Sequence, residues 1–147
     1  MSDLRELYQE VIFDHNRNPR NFGVLEGANR KAEGFNPLCG DQLTVYMLVN
    51  DQGIIEKVTF EGQGCAISTA SASIMTEELI GKTAEQAQVI FDNFHTIVTG
   101  GDCDVDIGKL AVLTGVKDYP TRVKCATLPW HTTNAAINQQ EEPVTTE

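Results

Sequence analysis

Four residues in this chain have the types and settings to hold a metal through sulfur and carboxylate: Cys39, Asp41, Cys65 and Cys125. In Asn36-Pro37-Leu38-Cys39-Gly40-Asp41, a proline and a glycine bracket the first cysteine in a turn ahead of a strand. Gly40 lets the backbone bend, and Asp41 is near enough to set a carboxylate beside the thiolate. In Gly62-Gln63-Gly64-Cys65-Ala66 the second cysteine follows a Gly-rich turn and opens a helical pattern. The unpaired amides and dipole of a helix start stabilise a thiolate there. In Arg122-Val123-Lys124-Cys125 the third cysteine lies in the first turns of another helix, with Arg122 and Lys124 adding positive charge. Zinc accepts both donor types. Each cysteine taken alone also reads as a small buried hydrophobe. The Gly-rich turn lacks the Lys-Ser/Thr pair of a phosphate-binding loop.

Composition narrows the setting. One domain suits 147 residues, and the net charge of −10 disfavours nucleic acid and anionic membranes as partners while suiting a basic patch on another protein. No apolar run is long enough to span a bilayer, and the first residues carry no secretory pattern, so the expected location is cytoplasmic. In a reducing compartment four cysteines point to metal or thiol chemistry before disulfides.

The elements that must gather these residues can be read from pattern. Leu4, Leu7, Tyr8, Val11 and Ile12 mark an amphipathic helix, with Asp3 as its expected N-cap, that stops before Pro19. Residues 43–49 and 54–60 read as an antiparallel hairpin turned by Asn50-Asp51-Gln52-Gly53, with a third strand expected over 28–35. Helices are expected over 66–80 and 84–97, the first ended by Gly81 and the second started by a Thr83/Gln86 capping box. A short helix is expected over 107–113, and a last one opens at Pro120 with a kink at Pro129. The polar stretch 139–147 reads as a flexible acidic tail behind a single domain of residues 1–138.

The motifs Asp14-His15-x-x-Asn18-Pro19-Arg20-Asn21, Asn36-Pro37-x-Cys39-Gly40-Asp41, Gly62-x-Gly64-Cys65 with Ser71-Ala72-Ser73, and Arg122-Val123-Lys124-Cys125 resemble the SufU branch of the IscU/NifU N-terminal-type family. The resemblance runs over residues 4–138. It implies an α+β fold, a small three-stranded antiparallel sheet with helices packed on it. It also implies Cys39, Asp41, Cys65 and Cys125 as metal ligands, zinc as the metal, and Cys39 as acceptor of persulfide sulfur from a SufS-type cysteine desulfurase, ahead of downstream iron–sulfur assembly proteins. Because a fully ligated thiolate is less available for attack, Cys39 is expected to leave the zinc when the partner docks. Scaffold-type relatives carry histidine where this chain has Lys124, and the segment 100–119 matches an insertion of the SufU branch. Both favour zinc over the alternative, a scaffold holding a nascent iron–sulfur cluster on the same ligands. A zinc-stabilised domain without transfer chemistry is the third reading.

The remaining candidates rank lower. Cys103 sits among Asp102, Asp104 and Asp106, whose charge disfavours a thiolate, and their alternation lacks the rest of a calcium loop. His15 reads as a helix cap or surface residue, His95 as structural or exposed, His131 as an ordinary helix residue ahead of a spare ligand to Cys125's metal, and Trp130 as packed ahead of a docking anchor.

Overall fold

A computed structural model describes residues 2–37, 40–101, 108–139 and 143–145. The chain runs α1 (Ser2–Arg17), β1 (Arg30–Asn36), β2 (Asp41–Val49), β3 (Ile55–Gln63), α2 (Ala66–Leu79), α3 (Ala84–Val98), a 3₁₀ helix (Gly108–Asp118), α4 (Pro120–Ile137) and a two-residue β4 (Val144–Thr145). The class is α+β, helices on one small sheet. The strand order is β3-β2-β1-β4, antiparallel except for the parallel β1–β4 pair. The expected three-stranded sheet is thus extended by one short edge strand, Val144 opposite Gly34 and Thr145 opposite Phe35.

Strand pleat decides which residues meet the helices. In β2, Asp41, Leu43, Val45 and Met47 alternate on one face and are all buried. In β1, Ala32, Gly34 and Asn36 do the same. Asn36 and Asp41 are register partners at the end of the β1–β2 ladder. Both polar residues therefore point where the core-forming side chains point. The hairpin strands extend beyond the expected 43–49 and 54–60, and the extension at the front of β2 is what takes Asp41 out of the turn and into the ladder.

Helices α2 and α4 cover this face, α4 against β1 and β2, α2 against β3, and the two against each other. Ile74, Met75, Leu79 and Leu128 are fully buried between the layers. α4 lies close on β1 at Gly34, where an added Cβ would stand 2.0 Å from Thr132 Oγ1. α3 and the 3₁₀ helix pack against α4, and Phe94 of α3 and Trp130 of α4 meet at 5.4 Å between ring centroids. Trp130 is packed, 2 % exposed, as expected. α3 begins on the expected capping box, each of Thr83 and Gln86 bonding the other's backbone N–H.

Several expectations shift. α1 already includes Asp3, one residue past its first. The short helix forms as a 3₁₀ turn series ending at Asp118, where five residues more than expected carry the chain to Pro120. α4 continues unbroken through Pro129 to Ile137. Pro129 is buried within this span, and a kink there is compatible with a helix that runs on past it. His15 is neither a cap nor a surface residue. It is 1 % exposed, its Nδ1 lies 2.6 Å from Ser73 Oγ, and its Nε2 lies 3.6 Å from Glu77 Oε1. Burial follows from α1 packing on α2, which leaves the ring facing α2's polar stripe. The Arg20 N–H also donates to Ser73 Oγ, and Asn21 Nδ2 donates to Thr76 Oγ1. The motif from Asp14 to Asn21 thus clamps the end of α1 to α2.

Replacing Gly34 with alanine should destabilise the protein by about 1–3 kcal/mol through overpacking against α4. Chemical denaturation checks this, and a paired Thr132→Ala change should recover part of the loss.

Candidate metal centre

The end of the β1–β2 ladder, the start of α2 and the first turns of α4 converge on Asp41, Cys65 and Cys125. One donor atom from each, a carboxylate oxygen and two sulfurs, lies within 4.8 Å of the others. Cys125 and Asp41 are buried, Cys65 half-buried. Cys39, the fourth expected ligand, lies outside the described residues, between Pro37 and Gly40. Cys103 and its neighbouring aspartates lie outside them as well.

Local chain chemistry sets each donor. Cys65 is the N-cap of α2, with φ −70° and ψ 167°, and its Sγ accepts from the Ser68 N–H at 3.4 Å. A thiol here does the work usually done by serine or aspartate oxygen. Its own N–H donates to Asp41 Oδ1 at 2.8 Å. This bond needs Gly64, because a Cβ there would fall 2.7 Å from the same oxygen. Asp41 Oδ2 stands 3.9 Å from Cys65 Sγ. Asn36, fully buried, directs one amide nitrogen at both remaining donors, 3.4 Å from Asp41 Oδ2 and 3.6 Å from Cys125 Sγ. Asn36 opens the Asn-Pro-x-Cys-Gly-Asp motif, but the sequence alone assigned it no part in the site. Its two-residue phase with Gly34 and Ala32 was the available signal.

The electrostatics favour a thiolate. Hydrogen bonding with the Cys125 side chain, followed by the Ser68 and Ile67 amides, lowers the Cys65 thiol from 9.0 to about 6, against burial and the Asp41 charge. No cation appears among these causes. The amides of the α2 start, Ser68 and Ile67, support the Cys65 thiolate as expected, with the Cys125 side chain added, and Arg122 is exposed and Lys124 half-buried. His131 is not a spare ligand. Its ring stacks edge-on to Phe91 at 5.0 Å and lies 6.0 Å from His95, because six residues of α-helix turn it away from Cys125. His95 is exposed, as expected.

The donor set fits zinc. Tetrahedral zinc holds sulfur at about 2.3 Å and oxygen at about 2.0–2.2 Å, which spaces donors roughly 3.4–3.8 Å apart. Three donors within 4.8 Å need only small side-chain adjustments to reach that spacing. Buried Asn36 Oδ1 has no hydrogen-bond partner among the described residues, a polar atom left over at the same place.

The model of the NifU-like N-terminal domain matches residues 7–126, a span that includes all three donors. The chain belongs to this family. It is 40 % identical over 142 residues to the zinc-dependent sulfurtransferase SufU of Bacillus subtilis, covering 95 % of each chain. It is 38 % identical over 141 residues to the iron–sulfur cluster assembly scaffold protein IscU of Streptococcus pyogenes, covering 95 % of this chain and 87 % of that one. Among solved structures, the SUF-system protein FiSufU of Fervidobacterium islandicum superposes with a TM-score of 0.84 at 40 % identity, over 90 % of this chain and 98 % of that one. The α+β fold and the SufU/IscU resemblance drawn from the motifs therefore hold. No helix among the described residues is long and apolar enough to cross a membrane.

Two outcomes are expected here. Gly64→Ala should keep the helical content and lower zinc affinity about tenfold or more, measured by chelator competition, because the new methyl displaces the Asp41 carboxylate. In metal-free protein, Cys65 alkylation followed by peptide mass spectrometry should rise to half its maximum near pH 6 instead of near 9. The folded value is the depressed one. The stability contributed by this thiolate is therefore full above about pH 9 and lost as pH falls to about 6.

Proposed function

We propose that this protein is an iron–sulfur cluster assembly factor that accepts persulfide sulfur from a cysteine desulfurase at a zinc centre. The observation that carries this reading is the meeting of Asp41, Cys65 and Cys125 donors within 4.8 Å on three separate elements. The zinc-dependent sulfurtransferase SufU of B. subtilis, similar along 95 % of both chains, supports the choice of metal and reaction.

In this proposal Asp41, Cys65, Cys125 and Cys39 hold the metal, and Cys39 is the sulfur acceptor. Bound zinc keeps its cysteine ligands deprotonated at neutral pH. The Cys39 thiolate attacks the outer sulfur of the donor's cysteine persulfide. A new S–S bond forms on Cys39, the donor's S–S bond breaks, and the donor cysteine leaves as a thiolate. No electrons enter or leave overall. Cys125, buried and bonded by Asn36, and Asp41, bonded by the Cys65 amide, are the donors least free to react. Arg122 and Lys124, near the same end of α4, are assigned a supporting electrostatic role toward the incoming persulfide. The partner is a SufS-type desulfurase, and the sulfur passes on to iron–sulfur assembly proteins. Residues 1–138 carry the whole site, and Val144–Thr145 behind them add the short edge strand of the same sheet, in a cytoplasmic protein.

A second reading has its own support. Two cysteine sulfurs and a carboxylate also suit the irons of a cluster, and the S. pyogenes relative is a cluster assembly scaffold. Colourless protein with about one zinc favours the sulfur acceptor, and brown protein with iron favours the scaffold.

Cys39→Ala should abolish labelled-sulfur uptake and stimulation of the desulfurase. Uptake at the wild-type level would remove Cys39 from its role. Asp41→Ala should weaken zinc binding, read by chelator competition, and unchanged affinity would remove Asp41 from the ligand set.

A further inference from the structure

Three groups that carry negative charge in the working site, the Asp41 carboxylate and the Cys65 and Cys125 thiolates, lie within 4.8 Å of one another. Each is met by a neutral nitrogen donor. The Cys65 amide serves Asp41 Oδ1, the Ser68 amide serves Cys65, and the Asn36 side chain serves both Asp41 Oδ2 and Cys125. The first two donors are backbone groups and belong to any residue at those positions. The third is a side chain that only a few residue types provide. Asn36 is 0 % exposed, so its amide exchanges no bonds with solvent. Its carbonyl oxygen has no partner among the described residues, which is costly for a purely structural asparagine.

We infer that Asn36 is a positioning residue of the metal centre, which shares its amide group between Asp41 and Cys125, aligns both as ligands, and keeps Cys125 on the metal instead of in the sulfur-transfer step. The physical reason is twofold. An N–H donor on a thiolate withdraws electron density and lowers its nucleophilicity while leaving it a competent ligand. The cross-strand pairing of Asn36 with Asp41 places this donor at the same pleat height as the carboxylate, so one side chain fixes the spacing of two ligands carried by a strand and a helix. Cys65 is half-buried and met by backbone amides of Ser68 and Ile67 that any residue there would receive, whereas Cys125 is fully buried and met by a side chain, and Cys39 lies outside the described residues. Cys125 is thereby marked as the retained sulfur.

The inference rests on the zinc reading above, so its test separates the two. Asn36→Leu keeps nearly the same volume without a donor, and Asn36→Asp keeps the shape while replacing the donor with an acceptor. For wild type and both variants, far-UV circular dichroism reports folding, chelator competition reports zinc affinity, and the visible spectrum of the cobalt-substituted protein reports sulfur ligation. Folded variants should lose zinc affinity 10–100-fold, shift the sulfur-to-cobalt charge-transfer band, and show iodoacetamide labelling of Cys125 by mass spectrometry that wild type lacks. Zinc affinity within twofold of wild type, with an unchanged cobalt spectrum and Cys125 still unlabelled, overturns the role of Asn36 and leaves the zinc reading standing. If the leucine variant does not fold, the aspartate variant decides by the same values. Wild-type protein that binds neither zinc nor cobalt overturns both.

Discussion

The bond from the Cys65 amide to the Asp41 carboxylate joins the sheet to α2 at the place where both end, and the site is organised around it. It fixes the first turn of α2 relative to β2, so the N-cap sulfur of Cys65 and the carboxylate oxygen arrive on the same side. It also consumes one lone pair of a buried carboxylate that would otherwise be costly to enclose. The remaining oxygen is left for Asn36 and for a metal. Gly64 is required for the approach, because any side chain there would meet Asp41 Oδ1.

From this join the rest of the architecture acquires its purpose. α4 must lie close on β1 for Cys125 to reach the same point, and Gly34 permits that approach beside Thr132. α2 and α4 contact each other, so Cys65 at the start of α2 and Cys125 in the second turn of α4 are held close together. The clamp from His15, Arg20 and Asn21 onto Ser73 and Thr76 braces α2 from its other side. This packing holds the three donors at one place. It rests on a core of apolar side chains, chiefly on α2, α4 and the helix-facing residues of the sheet.

Much of the local structure was legible because it depends on neighbours in sequence. The hairpin turn at Asn50–Gly53, the Thr83/Gln86 capping box and the proline at the first position of α4 all follow from short-range backbone chemistry. The shifts occur where distant packing intervenes. His15 carries a polar ring that alone suggests a surface, and only the docking of α1 on α2 supplies Ser73 and Glu77 to meet it. His131 is near Cys125 in sequence but lies on another face of the same helix, beside Phe91 and His95.

What the amino-acid sequence determined by itself is the chemistry available: cysteines at glycine-flanked boundaries, an aspartate two residues from one of them, and motifs specific enough to place the chain in its family. Tertiary structure alone decided which distant groups support the donors. The amide support at the α2 start was legible at Cys65, but the side-chain hydrogen bond from Cys125, sixty residues away, exists only in the folded chain. Asn36 had no assigned part in the site, and it is the buried donor between Asp41 and Cys125. The reason is physical. Charge type is written in each residue, whereas a hydrogen bond exists only when strand pleat and helix docking bring its two ends within reach.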